Sequence, residues 1–220
     1  NPENNDQYEL DGAWVNFTKI DQNFKVKLFG PFSITYPIQM YHSAHGPVLK
    51  DDNKAYALRF VGMNDVNHST AWLKMNKSKN IDEWLDALRM EQLASLNLVY
   101  ADKEDNIFFV HNVKSPVRDP NYNWKQVVPG NKSDLIWNNF HPFESVPQIL
   151  NPSSGYIFST NQNPFFVKAT EDNLSLSNFN PTMGFQTRTT NRAYRAYELL
   201  DADKSISVSY THLRAHETQR

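Results

Sequence analysis

Polar and apolar residues alternate over Phe24-Lys25-Val26-Lys27-Leu28 and again over Ser33-Ile34-Thr35-Tyr36-Pro37-Ile38-Gln39-Met40. A two-residue period puts successive side chains on opposite faces of a strand, and Gly30-Pro31 between the runs supplies a turn. The two runs are expected to pair as antiparallel strands. A further strand is expected over Ala55 to Val61, after a turn at His45-Gly46-Pro47-Val48. The period then changes. Asn80, with Glu83 three residues on, makes a capping arrangement, and Trp84, Leu85, Leu88 and Leu93 recur at near-helical spacing. That stripe should pack on the sheet. Val99-Tyr100 and Ile107-Phe108-Phe109-Val110 flank the polar segment Asp102 to Asn106 and read as a hairpin. A second helix is expected to carry Arg192, capped by Thr190 or Asn191. From Lys114 to Ser154 the chain is rich in Pro and Asn with little periodicity, and loops of such length in compact domains are commonly functional.

Composition narrows the class without choosing a function. At 220 residues, 40% hydrophobic and 21% charged, the chain can fill one large or two small globular domains. A net charge of -2 with no basic stripe excludes a nucleic-acid footprint. There is no run of about 18 apolar residues to form a membrane span. Zero cysteines exclude disulfides and thiolate chemistry in this segment. Asn1-Pro2-Glu3-Asn4-Asn5-Asp6 has neither an initiator methionine nor a signal-peptide pattern, so the chain reads as starting in mid-protein. At the other end, Val208 to Thr218 read as the in-frame translation of a sequencing adapter. The expected organisation is a partial domain over 1–207 and a non-native tail over 208–220.

Two histidine pairs invite a metal reading. His212 and His216 stand four apart with Glu217 following, as two ligands on one helix face would; as adapter translation they carry no chemistry. His42 and His45 lie at a strand end before Gly46-Pro47, with no nearby carboxylate to complete a site. A turn-stabilising role is expected for His45.

The sharper signal is a series of short blocks in fixed order: Leu96-Asn97-Leu98-Val99-Tyr100-Ala101-Asp102, Pro116-Val117-Arg118, Val128-Pro129-Gly130, Pro142-Phe143-Glu144, Asn151-Pro152-Ser153-Ser154-Gly155-Tyr156-Ile157 and Asn161-Gln162-Asn163-Pro164. Together they resemble the β chain of the penicillin acylase family, amide hydrolases that use their own N-terminal residue as nucleophile. The resemblance implies an α+β fold, a fragment of the four-layer αββα sandwich of N-terminal nucleophile hydrolases. It implies cleavage of a small-molecule acyl amide, with an α chain from the same precursor as partner and a periplasmic or secreted location. In the family a serine freed by autocatalytic cleavage attacks, and its own α-amine serves as base. An α-amine suits that role because its ordinary pKa, about 7.7 to 8.0, lies near working pH. That nucleophile is expected upstream of Asn1.

The resemblance also assigns residues. Asn161 matches the asparagine whose side-chain amide donates to the tetrahedral intermediate, and Arg192 the arginine that orients the site, with Arg188 and Arg195 as competitors for that role. Leu96 matches a position lining the acyl-chain pocket, with an ordinary core leucine as the plain alternative. A bound calcium is implied at Glu3, the carbonyls of Asn5 and Trp124, Asp6 and Asp172, Glu3 standing where the family more usually has aspartate. Among substrates, acyl-homoserine lactones or other fatty-acyl amides are favoured over β-lactam side chains. The alternative from another class is a non-catalytic β-rich periplasmic binding or scaffold protein of the same fold; the upstream sequence, with or without a processed N-terminal serine, separates the two.

Overall fold

The computed structural model describes residues 1–51, 54–168 and 170–202; the expected tail and its His212–His216 pair lie outside them. The described chain divides into two compact units, one formed by residues 1–64 and 116–140, the other by 65–115 and 141–202. Three antiparallel sheets of two, four and three strands and three α-helices are described, an α+β content as expected.

In the first unit β1 (Gln7–Leu10) and β2 (Ala13–Asn16) form a hairpin. Asp11 and Gly12 between them both have positive φ, 49° and 79°, the backbone that a tight two-residue turn requires. Strands β3 (Thr18–Phe29) and β4 (Phe32–Ser43) pair along their length, Val26 opposite Ile34 and Phe24 opposite Tyr36, around the Gly30-Pro31 turn. The alternation puts Ile20, Phe24, Val26, Ile34, Ile38 and Met40 on one face, and all of them are exposed. Strands β5 (Gly46–Asp51) and β6 (Lys54–Ala57) complete the sheet in the order β3-β4-β5-β6.

The expected strand from Ala55 to Val61 is shorter in the structure. It stops at Ala57: where the segment crosses Pro47, the Leu58 amide donates to the Pro47 carbonyl at 2.8 Å in the same register, but proline has no N–H to return the bond, and Phe60 to Met63 form a turn. Gly46 makes this crossing possible: a Cβ there would lie 2.3 Å from the Leu58 carbonyl oxygen, and its φ of 139° is open to glycine. His45 is buried beside it. Its amide donates to Ser43 Oγ at 3.2 Å and its carbonyl accepts from Arg59 Nη1 at 3.2 Å, so its backbone holds the turn.

The second unit carries α1 (His68–Lys77), α2 (Ile81–Leu88), β7 (Asn97–Ala101), β8 (Ile107–His111), β9 (Gln148–Leu150) and α3 (Asn191–Ala202). Helix α1 is additional to the two helices expected. Helix α2 begins at the predicted cap: Asn80 Oδ1 accepts the Glu83 amide at 2.9 Å, and Glu83 Oε2 reaches back to the Lys79 amide at 2.9 Å. Its stripe packs on one face of the β7-β8-β9 sheet, Trp84 lying 5.0 Å from the Tyr100 ring and 5.9 Å from Phe108. Leu88, Leu98, Val110 and Phe143 join this core, while Phe109, Ile149 and Val167 pack together on the other face of the sheet. Leu93 is buried in the same core but lies beyond the end of the helix.

Candidate active site

The site is built in the second unit from a strand, a loop and a helix start. The loop opens with a turn: Asn151 Oδ1 accepts the Ile107 amide at 2.8 Å, and the Gly155 amide donates to the Pro152 carbonyl at 3.0 Å, with Gly155 at φ 70°. The Phe158 amide then donates to the Val167 carbonyl at 2.9 Å and closes a compact loop that carries Asn161.

Three consecutive amides in this loop have different fates. Gln162 is buried, its Nε2 donating to the Phe158 and Phe166 carbonyls at 3.1 and 2.8 Å and its Oε1 accepting from the Thr160 amide and hydroxyl. Asn163 is buried as well, donating to the Thr187 carbonyl at 3.1 Å and accepting the Phe165 amide at 2.9 Å. Asn161, between Thr160 and this anchored pair, is exposed in the left-handed conformation at φ 64°. Asparagine tolerates that region better than most residues.

Arg192, in the first turn of α3, fixes the Asn161 side chain. Its Nη2 donates to Asn161 Oδ1 at 3.0 Å and also to the Thr160 carbonyl. The Ala193 amide donates to Thr190 Oγ1 at 3.3 Å, which makes Thr190 the capping side chain of this helix. Of the three arginines weighed for the orienting role, Arg192 is the one bonded to the loop. Arg195 pairs with Glu198 at 3.0 Å on an exposed helix face, and Arg188 is exposed. Because Arg192 takes the oxygen of the Asn161 amide, the nitrogen is left as the outward group, and Asn161 Nδ2 makes no hydrogen bond among the described residues. The arrangement presents one preoriented N–H donor at the surface of the unit.

A second polar pair, unforeseen in the sequence, supports the loop from the strands. Asn97 Nδ2 donates to Ser159 Oγ at 3.1 Å and to the Gln162 carbonyl at 3.0 Å, while its Oδ1 lies 2.6 Å from His111 Nδ1. Desolvation pushes the His111 pKa down to about 4, so the ring is neutral at working pH. A carboxamide oxygen can only accept, so His111 carries its proton on Nδ1. The signal was available: the hairpin register that places Ala101 opposite Ile107 places Asn97 opposite His111. Leu96 precedes this strand, its carbonyl bonded to the Asn112 amide at 2.8 Å and its side chain 40% exposed. It is not a core leucine.

The calcium positions fare differently. In the first unit Glu3 is exposed, the Asn5 carbonyl accepts Lys50 Nζ at 2.6 Å, and Asp6 Oδ2 accepts Lys19 Nζ at 2.5 Å. Trp124, half-buried, donates its indole N–H to the Asp119 carbonyl at 2.8 Å. Asp172, in the second unit, accepts from Ser153 Oγ and faces Lys168 Nζ at 3.7 Å. Among the described residues no group of three or more His, Asp or Glu is gathered that could hold a metal. Calcium requires about six to eight oxygens, several of them carboxylates. The donors present do not fit it, since ammonium groups already face both aspartates and the Asn5 carbonyl.

The penicillin amidase family profile matches residues 1–219. The chain belongs to the penicillin amidase family. Penicillin G acylase of Escherichia coli is 32% identical over 161 residues, covering 71% of this chain and 18% of that protein. Penicillin acylase 2 proenzyme of a Pseudomonas species (strain SE83) is 29% identical over 121 residues, covering 53% of this chain and 16% of that protein. A thermostable penicillin G acylase from Alcaligenes faecalis superposes with a TM-score of 0.70 at 24% identity, over 96% of this chain and 36% of that chain, which shows a shared fold. This penicillin amidase family chain thus spans less than a fifth of the length of the curated relatives it matches. Among its described residues no helix is long and apolar enough to cross a membrane.

Proposed function

We propose that the full-length protein is an amidohydrolase of the penicillin acylase type, and that this chain supplies the oxyanion side of its site. The observation that carries this reading is the Arg192–Asn161 pair, which fixes an exposed side-chain N–H in one orientation. In the proposed reaction the hydroxyl of an N-terminal serine, outside this chain, attacks the substrate amide carbon, and the α-amine of that serine takes the hydroxyl proton. The carbonyl oxygen becomes an oxyanion and accepts from Asn161 Nδ2. Collapse of the intermediate expels the amine, which receives the proton from the α-amine, and leaves an acyl-serine ester that water hydrolyses by the same steps. A donor aimed at developing charge contributes about 3 to 4 kcal/mol in comparable sites. Arg192 acts through Asn161 and is a positioning residue.

The substrate is a small-molecule acyl amide, with acyl-homoserine lactones or other fatty-acyl amides favoured by the sequence around His45-Gly46-Pro47-Val48 and Asn161-Gln162-Asn163-Pro164. Leu96, with its exposed side chain, lines the acyl pocket in this reading. The same proposal includes the four-layer sandwich, an α-chain partner from the same precursor and a periplasmic or secreted location, all supported by the family resemblance alone. A hydrolysis panel with the full-length protein tests the assignment. Turnover of long-chain acyl amides above phenylacetyl amides supports it; a clear preference for phenylacetyl overturns the substrate class, and no amide turnover by a processed protein overturns the reaction.

A further inference from the structure

In the amino-terminal segment of the first unit the side chains present disagree with the calcium that the family resemblance implies. The register of the four-stranded sheet explains how. Lys19 on β3 stands opposite Tyr41 on β4, Tyr41 stands opposite Val48 on β5, and Lys50 lies two residues beyond Val48. Residues directly opposite, and residues two apart on a strand, share a face. The sheet therefore presents two ammonium groups on one face, and both end on the same short segment: Lys19 on the Asp6 carboxylate at 2.5 Å and Lys50 on the Asn5 carbonyl at 2.6 Å.

Lys50 has aromatic contacts besides its bond to the Asn5 carbonyl. Its Nζ lies 3.4 Å from the centroid of the Tyr41 ring and 4.6 Å from that of Phe17, so two aromatic faces cradle the charge. Phe17 is buried, stacks on Tyr8 at 4.8 Å and meets Tyr41 edge-on at 5.8 Å, and its amide donates to the Asp6 carbonyl at 2.9 Å. The aromatic cradle, the two lysines and the Asn5–Asp6 segment form one connected arrangement.

We infer that the ammonium groups of Lys19 and Lys50 take the place of a divalent cation at Asn5 and Asp6, so that this segment is held to its sheet without calcium. Two ammonium groups bring the charge of one divalent ion and point N–H donors at the oxygens a metal would bind. A calcium ion at those oxygens would lie against both cations and be repelled by them. Reversing the arrangement would require both lysines to leave, and Lys50 would also leave its aromatic contacts.

The test uses the full-length protein, reads metal content and thermal unfolding, and is independent of whether the protein cleaves amides. After dialysis the wild type is expected to hold no stoichiometric calcium by elemental analysis, and its melting temperature is expected to be the same in chelator and in excess calcium. The double variant Lys19→Met/Lys50→Met should melt lower, while Lys25→Met/Lys27→Met, on the same strand, should not. Retained stoichiometric calcium, a wild-type melting temperature that falls on chelation, or a double variant as stable as the wild type would each overturn the inference. If the double variant does not fold, the wild-type metal content and chelation response decide alone.

Discussion

Arg192 Nη2 donates to Asn161 Oδ1 at 3.0 Å, tying the first turn of α3 to a loop residue 31 positions earlier. An amide whose oxygen is committed has only its N–H₂ left to offer, so the contact decides which end of Asn161 faces outward.

Asn161→Ala in the full-length protein should lower kcat by about 10²- to 10³-fold with the fold intact, because one preoriented donor is lost. Steady-state kinetics beside circular dichroism checks this. Activity within a few-fold of wild type would reduce Asn161 to a turn residue.

Arg192→Lys keeps the charge but loses the planar fork that reaches both Asn161 and the Thr160 carbonyl. The variant should lose kcat with little change in KM. Combined with Asn161→Ala it should cost little more than Asn161→Ala alone, since both changes act on one donor. Additive losses in the double-mutant cycle would show that Arg192 acts elsewhere.

The folded pKa of His111 is depressed from its ordinary 6.5 to about 4 by desolvation. The unfolded chain therefore binds this proton first as pH falls. Stability from this group is fully present above pH 6.5 and is lost progressively down to about pH 4, by about 3 kcal/mol at most. Denaturant titrations across this window should show a shallower pH slope for His111→Gln than for the wild type. An identical slope would remove His111 from the acid sensitivity.

Helix α2 depends on its cap. Asn80→Ala removes the acceptor of the Glu83 amide and should lower unfolding stability by about 1 kcal/mol. Asn80→Ser, which keeps a capping oxygen, should recover most of it. A neutral Asn80→Ala in thermal melts would show the cap to be redundant with the packing of Trp84 and Leu88.

The elements that could be read in the sequence were those whose signal is local. The β3–β4 and β7–β8 hairpins follow from alternation and a turn, and the α2 start from one capping side chain. Helix α1 escaped because its His68–Lys77 segment buries only Ala71 and Met75 and has no capping side chain. The strand after Lys54 ends earlier than its alternation predicts because Pro47, opposite Leu58 on the partner strand, has no N–H to donate and the chain turns at Phe60, features that the Ala55–Val61 run itself does not carry. Within the site, Asn161 and Arg192 were legible through family blocks alone. The support from Asn97 was not, since its bonds to Ser159 and Gln162 span 62 and 65 residues and no local pattern announces them.

The left-handed backbone at position 161 narrows what the genetic code can place there. Glycine accepts the conformation but brings no side chain. Aspartate accepts it nearly as well but, when ionised, offers no N–H and would turn a second acceptor towards an oxyanion. Glutamine restores the N–H yet lacks the short reach that makes asparagine at home in this region. One residue type meets both the geometry and the chemistry, so position 161 should be almost intolerant of missense change, whereas exposed α3 positions that do not touch it, such as Arg195, should vary freely.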